Sequence, residues 1–385
     1  MTIPIEPIWV DDKATLDTLC AAWMQQAAIA IDTEFMRSST YYPHAGLIQV
    51  GDGKGCYLID PLAIKDLSSL ANLMTHPDTV KVIHSCSEDL EVFRFLLGVV
   101  PSPLMDTQIA AAYANMGFSL GYAALISDQL GIALDKGETR SDWMQRPLSQ
   151  SQLHYAALDV AYLLIVYGKI LVALKTLGRL DWVKEECANL VAAANAEDDY
   201  TEAYTKIKLA WKLFPDQLVI LQQLCIWRET QARLSDVPRN RLMKENAAWD
   251  VARKKPTSTK QLAAIDGMGH RTLKDHSDEV LALVAKAAAS PAESHPPRLP
   301  KPLTPAQGDI LKALKSIALD VAQAQAITSE IIVRKKDLEQ LTRSVLAGEV
   351  VLPASLQGWR YDVVGRLMEA KAQELAAQSD RENPI

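Results

Sequence analysis

Three separated segments of this chain place acidic side chains inside apolar, regularly patterned sequence. They are AIAIDTEF with Asp32 and Glu34, VIHSCSEDLEVF with Asp89, and LHYAALDVAYLL with Asp159. Burial of a carboxylate is costly unless a positive charge compensates it. A fold that uses these segments in its core must therefore bring the acids to a place where a cation can bind.

Local periodicity indicates how the acids converge. Asp32 and Glu34 are two apart in a strand-like stretch, so both point to one side of a sheet. Tyr155 and Asp159 are four apart in a helical pattern and share one helix face. Any one acid alone would be interpreted as a solvated element end or a helix cap. The set in this order predicts a cluster.

The ligand type indicates which ion such a cluster would hold. Oxygen donors without nearby Cys or His pairs suit magnesium or manganese and do not suit zinc. Two such ions, about 3.5–4 Å apart, clamp the attacking and leaving oxygens of a phosphodiester. The Tyr155 phenol would then orient the attacking water. The sequence therefore predicts two divalent metal ions, Mg²⁺ or Mn²⁺, in one active site.

The motif order DTE, a helix-opening Asp in HSCSEDLEVF, then YxxxD in HYAALDV resembles the DEDD superfamily of 3′-to-5′ exonucleases in its tyrosine branch. Flanking sequence resembles the ribonuclease D family: GLIQVGDG, SPLMDTQIAAAY and SDWMQRPLSQSQLHYAALDV. The remainder of the chain resembles the helical HRDC modules at the C-terminus of that family. The similarity covers nearly the whole sequence.

This resemblance implies a metal-dependent exoribonuclease that releases nucleoside 5′-monophosphates and matures the 3′ ends of transfer RNA precursors and other structured RNAs. Asp32, Glu34 and Asp159 would hold the ion that activates water. Asp32 would bridge to a second ion that Asp89 joins, and Tyr155 would orient the nucleophile. The expected partner is RNA with a single-stranded 3′ end; no obligate protein partner is evident.

Substrate contacts are predicted around this cluster, at Thr33, Phe35, His84, Trp143 and Arg146, with Arg140 as a further basic neighbour of Trp143. An aromatic ring with basic neighbours is suited to stack a base and pair phosphates. Two alternatives stay open. His84 is equally compatible with a structural hydrogen bond in a strand-to-helix turn, and Trp143 with a hydrophobic anchor for its loop.

A second set of nucleic-acid contacts is predicted in the first HRDC module. Arg253, Lys254 and Lys255 form a basic run, and Gly267 and Gly269 lie where a helix start would let backbone N–H groups approach a phosphate. A plain turn between helices is the alternative for the two glycines.

The predicted fold is an α/β N-terminal domain, a ribonuclease H-like mixed sheet flanked by helices, followed by two all-α HRDC-type domains. The predicted boundaries are 1–200 for the exonuclease, 203–290 for the first HRDC module, 291–305 for a Pro-rich linker, 306–377 for a diverged second module and 378–385 for a tail. Within the first domain we expect strands at Ile29–Glu34, Gly46–Gly51, Cys56–Ile59, Val80–His84 and Leu104–Asp106, and helices at Ile64–Met74, Glu88–Leu97, Tyr122–Gly131 and Gln150–Leu177.

Charge is distributed unevenly. The net charge is −7 overall, but residues 1–200 carry −12 and the remainder +5, so the basic half is available for phosphate contacts. Five cysteines without a CxxC pair fit a reduced cytoplasmic compartment. The longest apolar stretch, Leu163–Leu174, is expected to be too short to span a bilayer, so no membrane role is predicted.

Two other functions remain open at this level. A DNA exonuclease of the proofreading type uses the same acids, although the chain has no GxxxxGK[ST] motif of a helicase. A non-catalytic RNA-binding scaffold would keep the fold without hydrolysis.

Overall fold

The computed structural model describes residues 5–134, 137–138, 141–304 and 307–382, with side chains up to residue 378. Arg140 and most of the predicted 378–385 tail lie outside these described side chains. The chain divides into two compact units. Unit 1 comprises Met1–Glu34, Ala45–Asn195 and Leu303–Ile385, and unit 2 comprises Phe35–His44 and Ala196–Pro302.

A six-stranded mixed sheet forms the centre of unit 1. Its strands are β1 Pro7–Val10, β2 Ala28–Met36, β3 His44–Gly51, β4 Cys56–Ile59, β5 Val80–Ile83 and β6 Leu104–Asp106. The spatial order is β1-β4-β3-β2-β5-β6, with β3 antiparallel to β4 and the pairs β1–β4, β2–β5 and β5–β6 parallel. The predicted mixed sheet is therefore confirmed, and β1 adds an edge strand that the sequence patterning did not predict.

Eight helices surround this sheet: α1 Lys13–Trp23, α2 Ser68–Met74, α3 Ser87–Leu97, α4 Thr107–Tyr113, α5 Tyr122–Leu130, α6 Gln150–Ala161, α7 Leu163–Thr176 and α8 Leu180–Asn195. The expected helix Ile64–Met74 begins later, at Ser68, because Asp60 organises residues 60–64 as a turn. The expected helix Gln150–Leu177 is interrupted at Tyr162, the C-cap of α6.

The stretch Gln150–Thr176 is long and apolar enough to cross a membrane by length and composition alone, which corrects the expectation that this region is too short. In the structure, α6 contacts β4 and α7 contacts β5. Apolar side chains of α7, including Leu163, Val166 and Ile170, belong to the hydrophobic core around the sheet. This packing accounts for the apolar composition of the stretch.

Unit 2 contains α9 Pro215–Leu234, α10 Arg239–Leu242, α11 Glu245–Lys254, α12 Thr259–Ala263 and α13 His270–Ala288. Its core is built from the apolar faces of these helices together with two preceding 3₁₀ turns, Ala203–Lys206 and Ala210–Lys212. The segment Phe35–His44 belongs to this unit although it follows β2. The predicted linker has a short 3₁₀ turn at Ala292–Ser294 and no helix or strand between residues 295 and 304.

The C-terminal helices are α14 Gly308–Ala324, α15 Ser329–Ile332, α16 Lys335–Leu346 and α17 Arg366–Glu382. They share the hydrophobic core of unit 1. The Trp359 indole stacks on Trp182 of α8 with ring centroids 4.4 Å apart. Arg360 pairs with Glu186 and donates to the Tyr113 hydroxyl at 3.1 Å. The region predicted as a separate module, 306–377, therefore packs directly on the exonuclease helices.

Candidate active site

Strand β2 presents two of the predicted acids together. Asp32 and Glu34 are two residues apart on this central strand, and a carboxylate oxygen of each lies within 4.8 Å of the other and of one from Asp159. Ile29, Ala30 and Ile31 are fully buried, which fixes the strand in the sheet and leaves its carboxyl-terminal half to carry the acids. The predicted convergence of two segments is present.

Helix α6 supplies the third acid. Ser149 begins the helix with a capping box, in which its hydroxyl accepts from the Gln152 N–H and the Gln152 side chain accepts from the Ser149 N–H. The register set by this cap places Tyr155 and Asp159 one helical turn apart on one face. Both lie near Asp32 and Glu34, whose charges act on the Tyr155 phenol.

Asp89 lies in the first turn of α3 and is buried. Its Oδ1 accepts a hydrogen bond from the Thr33 hydroxyl. Thr33 was predicted as a neighbour of the substrate with its side chain on the face opposite Asp32. The structure shows that this side chain is buried and holds Asp89. Phe35, the other flanking residue, is half-buried near the end of β2.

The turn that introduces α3 depends on Asp106, a residue the sequence interpretation missed. The Asp106 carboxylate accepts from the N–H groups of Ser85 at 3.1 Å and Cys86 at 3.0 Å, and it also caps α4 through Gln108 at 2.8 Å. Ser85 has a φ of 62°, a conformation this clamp stabilises. An Asp directly before a helix was the available signal, because Asp is a preferred N-cap.

Tyr122 has a structural role that the sequence did not predict. Its hydroxyl donates to the Leu158 carbonyl at 2.9 Å, next to Asp159 on α6. Burial, followed by the charge of Asp159, raises the pKa of the Tyr122 phenol well above its ordinary value. The phenol therefore stays protonated and holds this part of α6 in place.

The acids repel one another and are poorly solvated. Burial raises the pKa of Asp32 well above its ordinary value, and the charges of Asp159, Asp89 and Glu34 add to the effect. Burial, followed by the charges of Asp159 and Asp89, raises the pKa of Glu34 to about 8. Burial also raises the pKa values of Asp89 and Asp159. Across the described residues, no Lys or Arg forms an ion pair with any of these four acids.

A divalent cation fits this donor set. Asp159 Oδ2 is buried and has no hydrogen-bond partner in the part of the chain that the structure describes. Three carboxylates that meet without a basic partner require a positive charge to be ionised together. Hard oxygen ligands of this kind suit Mg²⁺ or Mn²⁺. We conclude that the residues fit divalent metal binding, as is usual in DEDD exonucleases.

The Trp143 side chain is buried near Tyr155. It does not offer an exposed surface on which a base could stack. Its indole is 3% exposed in a cluster with Leu47, Leu58 and Leu148, and it lies 6.2 Å from the Tyr155 ring, centroid to centroid. The alternative of a hydrophobic anchor is therefore the one the structure supports. Tyr155 itself is half-buried and its hydroxyl has no hydrogen-bond partner among the described residues.

Arg146 does not have the predicted role of a phosphate ligand. Its Nε and Nη2 bind both oxygens of Asp60 at 2.8 and 2.6 Å. The remaining donors reach the carbonyls of Gly46, Trp143 and Gln145. A guanidinium has five N–H donors, and all five are used within the protein. The prediction is corrected: Arg146 is a structural residue.

His84 is likewise held within the protein. Its Nδ1 lies 2.9 Å from the Thr107 hydroxyl and its Nε2 donates to the Leu120 carbonyl at 3.0 Å. Burial lowers the pKa of the imidazole. Both ring nitrogens are therefore engaged, which corrects the predicted substrate contact in favour of the structural hydrogen bond.

Each cation of the basic run in unit 2 has a carboxylate partner. Arg253 and Lys254 both pair with Asp250, at 3.0 and 2.9 Å, and Lys255 pairs with Asp216 at 2.5 Å. These pairs weaken the prediction that the run contacts phosphates. Gly267 has a φ of 80° at a turn packed against Asn246, and Gly269 is the N-cap of α13. The predicted helix start at these glycines is present, and their phosphate contact stays a prediction.

Comparisons with known proteins identify the family of the chain and two of its domains. The model of the 3′-5′ exonuclease family matches residues 7–175, and that of the HRDC domain matches residues 217–284. Ribonuclease D of Pseudomonas paraeruginosa is 46% identical over 94% of this chain and 96% of its own length. The Escherichia coli ribonuclease D is 37% identical over 95% and 98% of the two chains.

Among solved structures, RNase D of Escherichia coli, described as an exoribonuclease involved in structured RNA processing, matches with a TM-score of 0.89 at 35% identity. The match covers 97% of this chain and 99% of that one. These similarities extend over both units and over the segments that carry the acidic cluster. The chain belongs to the ribonuclease D family of exoribonucleases.

Proposed function

We propose that this exoribonuclease removes nucleoside 5′-monophosphates from RNA 3′ ends by two-metal-ion hydrolysis, in the maturation of transfer RNA precursors and other structured RNAs. The observation that carries the proposal is that Asp32, Glu34 and Asp159 meet with no Lys or Arg partner among the residues that the structure describes. The carboxylates of such a site repel one another when ionised unless cations bind between them. Phosphodiester hydrolysis of this type uses bound cations that have a free coordination position.

Each residue has a distinct part in this proposal. Asp32, Glu34 and Asp159 would hold one ion, and Asp32 with Asp89 would hold the other. When bound, the ions supply charge stabilisation to the attacking and leaving oxygens. Tyr155 contributes a hydroxyl that stays protonated, because burial and the nearby acids raise its pKa. This hydroxyl is available to orient the attacking water by a hydrogen bond.

The structured-RNA substrate is supported by the family and by the domain composition. The Escherichia coli relative is described as acting in structured RNA processing, and the HRDC domain is retained here at residues 217–284. Recognition of a folded RNA body by shape and charge is consistent with hydrolysis restricted to an unpaired 3′ end.

The test is hydrolysis of 3′-end-labelled oligomers. The purified chain is incubated with a transfer RNA carrying a short 3′ trailer and with DNA of the same sequence, in Mg²⁺, in Mn²⁺ and in chelator. We expect labelled nucleoside 5′-monophosphate from the RNA only with metal, and no product from Asp159→Asn. Faster loss of label from DNA would support the proofreading-type alternative. RNA binding without any release would support the scaffold, and metal-independent release would overturn the metal mechanism.

A further inference from the structure

In the segment Ala203–Phe214, which precedes the region that matches the HRDC domain, every third residue is buried. Consecutive backbone hydrogen bonds join residues three apart, from Tyr204 to Ile207, Ile207 to Ala210 and Ala210 to Leu213. These same four residues are buried in the core of unit 2. In 3₁₀ turns, residues three apart lie one above the other. The remaining positions therefore form outward rows.

The outward rows carry lysines. One row is Lys206, Leu209 and Lys212, and the adjacent row includes Lys208 and Trp211. All three lysines are exposed. Within the described ranges none of them has an acidic partner, in contrast to Arg253, Lys254 and Lys255. Lys206 ends the first 3₁₀ turn and Lys212 ends the second, so the cations are spread along the segment and do not meet at one point.

Aromatic rings lie among these cations. The Lys212 ammonium is 5.4 Å from the centre of the Trp211 ring. The Trp249 indole N–H donates to the Leu209 carbonyl at 2.9 Å, so this ring borders the same segment. Phe214 is 55% exposed and has the Arg298 guanidinium 4.3 Å from its ring centre. The segment therefore combines unpaired positive charge with accessible flat apolar groups.

We propose that the face formed by Lys206, Lys208, Leu209, Trp211, Lys212 and Phe214 binds the phosphodiester backbone of the RNA substrate. The proposal rests on the RNA-hydrolysing function proposed above and assigns part of its substrate binding to this segment. Lysine ammonium groups contact phosphates without reading sequence, and exposed aromatic rings stack on bases of any identity. An acidic protein partner would satisfy the lysines but gives no use to the aromatic rings.

The test compares two triple variants of the full chain with the same change in net charge. The first is Lys206→Gln, Lys208→Gln and Lys212→Gln. The matched control is Lys260→Gln, Lys274→Gln and Lys286→Gln, which removes three exposed lysines from elsewhere in unit 2. Binding of a hairpin RNA with a 3′ extension is measured by fluorescence anisotropy in chelator over a series of salt concentrations, and hydrolysis is measured separately with metal.

We expect the first variant to bind at least about tenfold more weakly and to lose about two units of the slope of log affinity against log salt, because each single-strand phosphate contact contributes about 0.7. The control should keep the wild-type slope. Leu209→Lys, which adds a cation to the row, should tighten binding relative to Leu209→Gln. Equal slopes in both triple variants, or no effect of Leu209→Lys, would overturn the assignment.

These outcomes are separate from those of the proposed function. Hydrolysis of a short oligoribonucleotide by the control triple variant should proceed at the wild-type rate, so that loss of three exposed lysines by itself is shown not to impair the active site. If wild-type protein binds the hairpin RNA with the expected salt slope but hydrolyses no RNA, the catalytic proposal fails and the binding face remains. If hydrolysis is normal and the slope is unchanged in the variant, the binding face fails alone.

Discussion

The Thr33 hydroxyl donates its hydrogen bond to Asp89 Oδ1, which joins the strand that carries Asp32 and Glu34 to the first turn of α3. This bond fixes one oxygen of Asp89; in the proposed mechanism, the other oxygen would bind a metal ion. Thr33→Val keeps the shape of the side chain and removes the donor. Because a hydrogen bond to a charged group contributes about 1.5–3 kcal/mol, we expect kcat/KM to fall by about tenfold or more.

The measurement for Thr33→Val is initial rate against Mn²⁺ concentration, with an increase in the concentration needed for half-maximal rate. Thr33→Ser is the control, because it retains the hydroxyl. Wild-type behaviour of Thr33→Val, with impairment of Thr33→Ser alone, would show that packing of the methyl group, and not the bond to Asp89, matters.

Asp159→Asn is expected to separate activity from stability. The substitution removes one of three carboxylates that repel one another. The Oδ2 atom of Asp159 has no hydrogen-bond partner among the described residues. We expect hydrolysis to fall by a factor on the order of a thousand, since a ligand needed for charge stabilisation is lost. The melting temperature of the metal-free protein should rise by roughly 2–4 °C per kcal/mol of relieved repulsion. A lower melting temperature in chelator would contradict the repulsion argument.

The acidic cluster also predicts how stability depends on pH. Burial raises the pKa of Glu34 to about 8 and raises the pKa values of Asp32, Asp89 and Asp159. Between the ordinary carboxyl pKa and the raised value, the folded protein binds more protons than the unfolded chain. The unfolding free energy of the metal-free protein must therefore fall as pH rises from about 5 to about 8.

Divalent metal should oppose this loss of stability at higher pH, because ionised carboxylates bind cations and protonated carboxylates do not. We expect Mn²⁺ to raise the melting temperature more at pH 8 than at pH 6. Scanning calorimetry in Mn²⁺ and in chelator measures both effects. The Asp159→Asn variant should show a smaller difference between the two pH values, and an equal metal-induced increase at both would contradict the assignment of the cluster as the binding site.

Arg146→Gln should impair folding stability and leave RNA binding intact. The substitution leaves Asp60, which is 5% exposed, without its bidentate partner. Breaking a buried pair in this way costs about 3–5 kcal/mol, so we expect a melting temperature lower by roughly 6–20 °C. The salt dependence of RNA affinity should equal that of the wild type. A reduced slope with unchanged stability would restore the phosphate-contact role that the sequence predicted.

Local periodicity explains why the cluster was predictable. Alternation along β2 and the four-residue spacing on α6 determine which way Asp32, Glu34, Tyr155 and Asp159 point, and both patterns are short-range. Where a side chain bonds to a distant residue, the sequence offered no comparable signal. Asp60 is 86 positions from Arg146, and nothing near either residue indicates the pair.

The same limit applies to the segment Phe35–His44. It follows a sheet strand, so the sequence places it in the exonuclease domain, but Tyr41 forms hydrogen bonds to residues more than 180 positions away in unit 2. The edge strand β1 was missed for a different reason. Its four residues, PIWV, are too few to show alternation, and they are defined by pairing with β4.

Asp236 binds the segment Phe35–His44 within unit 2. One carboxylate oxygen accepts from the N–H groups of Tyr41 and Tyr42, both at 2.9 Å, and the other lies 2.7 Å from His44 Nε2. Asp236 has a φ of 46°, which glycine and asparagine tolerate. Asp236→Gly therefore removes the acceptor without adding backbone strain, and Asp236→Asn retains an oxygen for the two N–H groups.

We expect Asp236→Gly to speed hydrogen exchange at the amides of Tyr41 and Tyr42 by about tenfold or more, because hydrogen bonds to a carboxylate contribute about 1.5–3 kcal/mol each. Asp236→Asn should show most of the wild-type protection. The Tyr41 hydroxyl also donates to Glu229 at 3.1 Å and accepts from Arg233 at 3.1 Å, so the ring should stay in place in both variants. Exchange that is equally fast in the Gly and Asn variants would show that the contact between the Asp236 carboxylate and His44, and not the two backbone hydrogen bonds, holds the segment.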